Sequence, residues 1–138
     1  MKEFRAFRVH NDNNNKITGR IEDLNISALS QGDVVIKAAY SCVNYKDALA
    51  ATSTLKLIHE FPRVIGINVS GHVISSSDKR FREGDKVLVT GYEFGIGHDG
   101  GYSEYCRVPA DWVVPLPKKM SMFTAMAIGT AGFTVALC

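Results

Sequence analysis

The residues best placed to do chemistry lie in Ser41-Cys42-Val43-Asn44-Tyr45-Lys46-Asp47-Ala48-Leu49-Ala50, where an alternating strand gives way to a short helix. Upstream, Asp33 to Ser41 is rich in β-branched residues with partial alternation; downstream, Asp47 to Ala51 has the small, unbranched composition of a helix. Asn44 sits at the join, where its side chain can cap the first free N–H groups of the helix. Asp47, three residues on, can bond back in a short capping box, and this structural role is the simpler reading of it. Tyr45 occupies the first helical position and points out of the corner, a rigid support of the kind on which ligand-facing groups are displayed.

Other reactive types form no constellation. His10, His59, His72 and His98 are scattered, without the i, i+4 pairing that puts two imidazoles on one helix face. His72 lies in a β-branched run and reads as a sheet residue. No G-x-S-x-G elbow occurs and no cysteine has a histidine near it in sequence, so nucleophilic hydrolysis has no support. Gly95-Ile96-Gly97-His98-Asp99-Gly100 matches G-x-G-x-x-G letter for letter. A dinucleotide fingerprint needs a helix directly behind it and an acidic residue about twenty positions on. Here a strand-like alternation follows, and the residue twenty after Gly95 is Pro115, so the match is discarded. The five glycines between Gly91 and Gly101 are expected to form a mobile surface loop beside the site.

The composition sets the frame. With 138 residues, 46% of them hydrophobic and 22% charged, the chain can bury a core as one compact domain with at most part of a second. A formal charge of +2 without a Lys/Arg block argues against a nucleic-acid partner. The opening Met1-Lys2-Glu3-Phe4-Arg5 is charged where a signal peptide needs an apolar run, and no apolar stretch reaches membrane-spanning length, so no membrane partner is expected. Cys42, Cys106 and Cys138 make neither a C-x-x-C pair nor an even set, which fits a reducing cytoplasm.

Short strands must position the corner. Phe4–Val9 and Ile17–Leu24 read as a strand pair joined by a polar loop, Asn11 to Asn15, and Val34–Tyr40 and Lys86–Thr90 each follow a Gly-Asp turn signal. Val64–Ser75 reads as one long strand bent at its glycines. Tyr102–Val108 and Trp112–Val114 complete a small, mostly antiparallel barrel. From Ser121, a plausible N-cap, a helix begins that breaks at Gly129–Gly132 and resumes as an apolar, uncapped segment ending at Cys138. Such a segment is normally buried by more of the same chain, so the sequence is expected to be a piece of a longer protein; a natural terminus docked on the barrel is the alternative.

The blocks Val43–Ala50, Ile65–Gly71, Asp78–Asp85, Asp99–Tyr105, Ala110–Pro117 and Gly129–Thr134 resemble, in order, the YhdH/YhfP branch of the medium-chain dehydrogenase/reductase superfamily. The resemblance implies a mainly β fold with short helices: a GroES-like, partly open barrel over residues 1–123, with residues 124–138 starting the helical lead into a Rossmann domain that is otherwise absent. Zinc-dependent members carry a cysteine ligand where this chain has Asn44 and Gly-His-Glu where it has Gly66-Ile67-Asn68. Neither replacement offers a thiolate or imidazole, and the structural four-cysteine lobe is missing too, so no metal is expected. Where the branch usually has aspartate, this chain has Asn68.

By the same resemblance the intact protein is a cytoplasmic, zinc-independent, NADPH-dependent oxidoreductase, homodimeric at full length. It would reduce activated double bonds of acrylyl-CoA-like enoyl thioesters or quinones by hydride transfer. Tyr45, Asn44 and Thr134 fall at positions that approach the nicotinamide. Tyr45 is the candidate catalytic residue, with cofactor contact favoured over proton donation because phenols, with pKa about 10, are poor acids at neutral pH. Lys46 reads as a solvated charge. Two other readings stay open: a co-chaperonin-like assembly module, and a binding fragment inactive as it stands.

Overall fold

The computed structural model describes residues 3–12, 16–52 and 57–138. β1 (Phe4–Asn11) and β2 (Ile17–Leu24) pair antiparallel over their whole length, Phe4 opposite Leu24 and Asn11 opposite Ile17. The turn residues Asn13–Asn15 fall outside the described residues. β4 (Arg63–Val64) adds to β1 and makes a three-stranded sheet in the order β2-β1-β4.

A second, five-stranded sheet runs β7-β3-β5-β6-β8, from β3 (Val34–Ser41), β5 (Asn68–Ser76), β6 (Lys86–Thr90), β7 (Tyr105–Val108) and β8 (Val113–Pro115). Every strand pairing is antiparallel, as expected. The barrel is not closed: these are two open sheets, joined by the segment Tyr102–Glu104. Phe7 N donates to the Tyr102 carbonyl (2.8 Å) and Glu104 N to that of Arg5 (3.0 Å), while Ala38 N donates to the Glu104 carbonyl (3.0 Å).

Three readings are corrected by this arrangement. Val64–Ser75 is not one bent strand. The chain leaves β4 at Val64, turns through Gly66 at φ +103°, and enters the other sheet as β5. Only Tyr105–Val108 of the Tyr102–Val108 run is a strand, because the residues before it stitch the sheets together. Trp112 belongs to a 3-10 turn over Ala110–Trp112 that precedes β8. The inward residues of the larger sheet, among them Val34, Ile36, Val69, Val73, Val87, Val89 and Val108, are fully buried with Phe94 and Cys106. Each such aliphatic side chain contributes at most about 1.5–3 kcal/mol by leaving water.

Two helices complete the domain. α1 (Tyr45–Thr52) follows β3 directly. α2 (Met122–Leu137) is capped as expected: Thr124 N donates to Ser121 Oγ at 3.0 Å. It is kinked at Gly129, whose φ of 49° and ψ of −159° lie outside helical geometry, where the sequence placed the break. Before the kink Met122, Ala125 and Met126 are buried; after it Phe133, Val135 and Leu137 are exposed.

Candidate functional site

The strand-to-helix corner is fastened by one carboxylate. Asn44 Oδ1 accepts from Lys46 N (3.1 Å), and Asp47 Oδ2 accepts from Asn44 N (2.7 Å), which closes the expected capping box. Sequence reading missed the other half. Asp47 Oδ1 accepts from Ile67 N (3.0 Å), so this 2%-exposed side chain also ties α1 to the crossing between the sheets. The corner is rigid underneath and open above, with Val43 83% and Tyr45 77% exposed. A groove of about 350 Å³ runs beside α1, lined by Phe7, Val43, Asp47, Ala48, Ala51, Ile65 and Tyr102.

Next to this corner lies a polar cluster centred on Asn68, which is fully buried. Its Oδ1 accepts from the hydroxyls of Thr90 (2.6 Å) at the end of β6 and Thr130 (2.8 Å) just past the α2 kink, and these hydroxyls lie 2.9 Å apart. Ser41 Oγ donates to the Asn68 carbonyl at 2.7 Å. The Cys42 sulfur packs against Gly129, where a built Cβ would come within 2.9 Å of it. Burial, and then the Asp47 charge, push the Cys42 thiol up from its ordinary range, while the Asn68 side chain pulls it down. Burial and Asp47 also raise the Tyr102 phenol well above the usual tyrosine range. That phenol donates to the Cys42 carbonyl at 3.2 Å.

Of the residues singled out in the sequence, Asn44, Tyr45 and Asp47 share the corner. Thr134 stands exposed on α2, one turn beyond Thr130, with its hydroxyl donating to the Thr130 carbonyl (2.8 Å). Asn68 stood out only as a departure from a family pattern. Its meeting with Thr90 and Thr130 joins three segments far apart in the chain, and no local signal announces it.

The glycine-rich stretch is not wholly a surface loop: Gly91 and Gly97 are exposed, but the other three glycines are packed into the fold. Phe94, Gly95, Gly100 and Gly101 are buried, and a Cβ on Gly95 or Gly100 would lie 2.5 or 2.3 Å from the Gly66 carbonyl oxygen. The amides of Gly95, Gly100 and Gly101 donate to the carbonyls of His98, Val64 and Gly66. These N–H groups are therefore committed to the fold and not presented to a phosphate, as the missing helix behind them implied.

A family model, the alcohol dehydrogenase GroES-like domain, matches residues 30–118. The chain belongs to this family. It is 46% identical to YhfP of Bacillus subtilis, which carries a quinone oxidoreductase name, over 91% of this chain and 38% of that protein. To the acrylyl-CoA reductase AcuI of Ruegeria pomeroyi it is 43% identical, over 97% of this chain and 41% of the relative. The crystal structure of the Salmonella enterica yhdH oxidoreductase in complex with NADP superposes with a TM-score of 0.93 at 43% identity, covering 97% of this chain and 41% of the other. The chain thus spans about two-fifths of the length of the relatives it matches. Among the described residues no three His, Cys, Asp or Glu side chains gather as a metal site, and no helix is long and apolar enough to cross a membrane.

Proposed function

We propose that the full-length protein is a cytoplasmic, homodimeric, zinc-independent NADPH reductase of activated double bonds, and that this domain supplies one wall of its cleft. The observation that carries the reading is the exposed Tyr45 on a corner that Asp47 locks from below. An open aromatic and apolar face on fixed backbone is what a flat pyridine ring would cover, so the residues present fit the cofactor. When bound, NADPH would supply hydride to the β-carbon of a thioester- or ketone-conjugated alkene, or to a quinone.

Tyr45 would hold and orient the nicotinamide side of the cofactor, with the Asn44 side chain and the Thr134 hydroxyl as further contacts. Val43 and the groove beside α1 would keep water from the acceptor. Position 44 carries an amide and position 67 an isoleucine, neither of which binds zinc tightly, and this supports a metal-free reaction. The test is NADPH oxidation by the full-length protein with acrylyl-CoA, a crotonyl-type thioester or a quinone. Turnover with at least one is expected; failure with all three sinks the reading.

A further inference from the structure

The cluster around Asn68 has more contacts than protons. Thr90 Oγ1 and Thr130 Oγ1 lie 2.6 and 2.8 Å from Asn68 Oδ1 and 2.9 Å from each other. Each hydroxyl carries a single hydrogen, so the three oxygen–oxygen contacts cannot all be hydrogen bonds at once. The shortest contact holds the Thr90 proton on the amide oxygen. The Thr130 proton then has two alternative acceptors, Asn68 Oδ1 and Thr90 Oγ1, and is required by neither. Turned toward a third acceptor, it leaves the buried Oδ1 still satisfied by Thr90, so the turn strands no buried polar atom.

The fold sets this hydroxyl beside the open corner. Gly129 interrupts α2 with a left-handed φ of 49°, and the next residue, Thr130, meets Asn68 and Thr90. Gly129 also packs on the Cys42 sulfur, so Thr130 follows directly on the contact between α2 and the corner that carries Asn44 and Tyr45. On its other side the Thr134 hydroxyl donates to the Thr130 carbonyl at 2.8 Å. Thr130 therefore lies between the residues assigned above to the nicotinamide. Asn68, fully buried, reaches no ligand itself and acts only by holding the two hydroxyls.

We propose that Thr130 is a catalytic hydrogen-bond donor to the carbonyl oxygen of a conjugated thioester or ketone, with Asn68 as its positioning residue; the assignment rests on the reductase reading. When hydride from NADPH joins the β-carbon, the alkene electron pair moves into the bond between the α-carbon and the carbonyl carbon. The carbonyl π pair moves onto oxygen, where negative charge collects. The Thr130 O–H turns from Asn68 Oδ1 to that oxygen and stabilises it, and its proton stays on the hydroxyl. A proton from water then adds to the α-carbon, leaving the saturated thioester or ketone and the oxidised cofactor.

The experiment uses the full-length protein with NADPH and acrylyl-CoA or a crotonyl-type thioester. Thr130→Val keeps the shape and removes the hydroxyl, and it should lower kcat about 10²-fold while the Kd for NADPH, by fluorescence titration, stays within about twofold. Thr130→Ala should behave like Thr130→Val, and Thr130→Ser should recover most of the loss. A readout without turnover is the infrared carbonyl band of propionyl-CoA, a saturated thioester, bound beside the oxidised cofactor. It should lie at lower frequency in the parent than in Thr130→Val. A parent that turns over beside a Thr130→Val protein of equal kcat, a Thr130→Ser protein as slow as Thr130→Val, or an identical carbonyl band in the two proteins would each overturn the proposal and leave the reductase reading standing. A parent inactive with both thioesters and with a quinone overturns that reading, and the role of Thr130 with it.

Discussion

Asp47 and Asp99 are both buried carboxylates that collect backbone N–H groups, but only Asp99 has a counter-ion. Asp99 accepts from Val64 N (2.9 Å) and from Ser30 N and Oγ (2.8 and 3.0 Å), and Arg63 Nη1, on a side chain almost as buried, lies 3.6 Å from its Oδ1. Asp47 accepts from Asn44 N and Ile67 N, and among the described residues no cation stands in ion-pair range of it. The environments differ accordingly. Around Asp99 everything is closed: the Cys106 thiol beside it is 1% exposed and pushed up to about 12, by burial first and the Asp99 charge second. Around Asp47 the charge is uncompensated and acts on Cys42 and Tyr102 at an open corner. One carboxylate fastens the sheets together; the other also sets the electrostatics of the site.

The largest effect should come from Asp99→Ala, which removes the buried acceptor of Val64 N and Ser30 and leaves Arg63 with only the exposed Glu60 as counter-ion. A loss of about 3–5 kcal/mol in urea unfolding is expected. Replacing Arg63 and Asp99 together by apolar residues should recover part of that, and a double variant as unstable as the sum would mean that Arg63 was never its partner. Asp47→Asn should cost less, about 1–3 kcal/mol, because one of two buried amides loses its acceptor. It should also speed iodoacetamide alkylation of Cys42 several-fold at mildly alkaline pH by lowering the thiol's pKa. If Asp47→Asn costs as much as Asp99→Ala and leaves alkylation unchanged, the two regions do not differ in kind.

A smaller effect, confined to alkaline solution, separates the two thiols. Because the folded-state pKa of Cys106 is raised from the ordinary 9.0 to about 12, the stability tied to its neutral form is complete below pH 9 and is lost as pH climbs toward 12. Urea midpoints at rising pH should fall less steeply in Cys106→Val than in the parent. The smallest effect on folding belongs to Tyr45→Phe, within about 0.5 kcal/mol, since the ring is exposed. In the full-length protein the same change should raise the Michaelis constant for NADPH or lower turnover. Unchanged values for both would remove Tyr45 from the site.

Much of the scaffold could be read from residue order. β1, β2, β3 and β6 came from alternation and turn signals, the α2 cap from Ser121, and its kink from Gly129, because each depends on interactions within a few residues. The capping box at Asn44 and Asp47 was legible for the same reason. Apart from the local 3-10 turn at Trp112, the misread elements depend on distant partners. Val64–Ser75 looks continuous because both of its halves are β-branched, and only the presence of two sheets shows where it divides. Gly95, Gly100 and Gly101 look like loop glycines until their close approach to Gly66 and Asn68 is seen.

The sequence alone settled that this chain is a strand-rich domain with a tyrosine carried on a capped corner, since caps, turns and alternation are short-range physics. The tertiary structure decided how the corner is held and what lies behind it. Asp47 reaches across the fold to Ile67, and Asn68 gathers hydroxyls from β6 and α2, because hydrogen bonds between segments distant in the chain leave no pattern in local spacing.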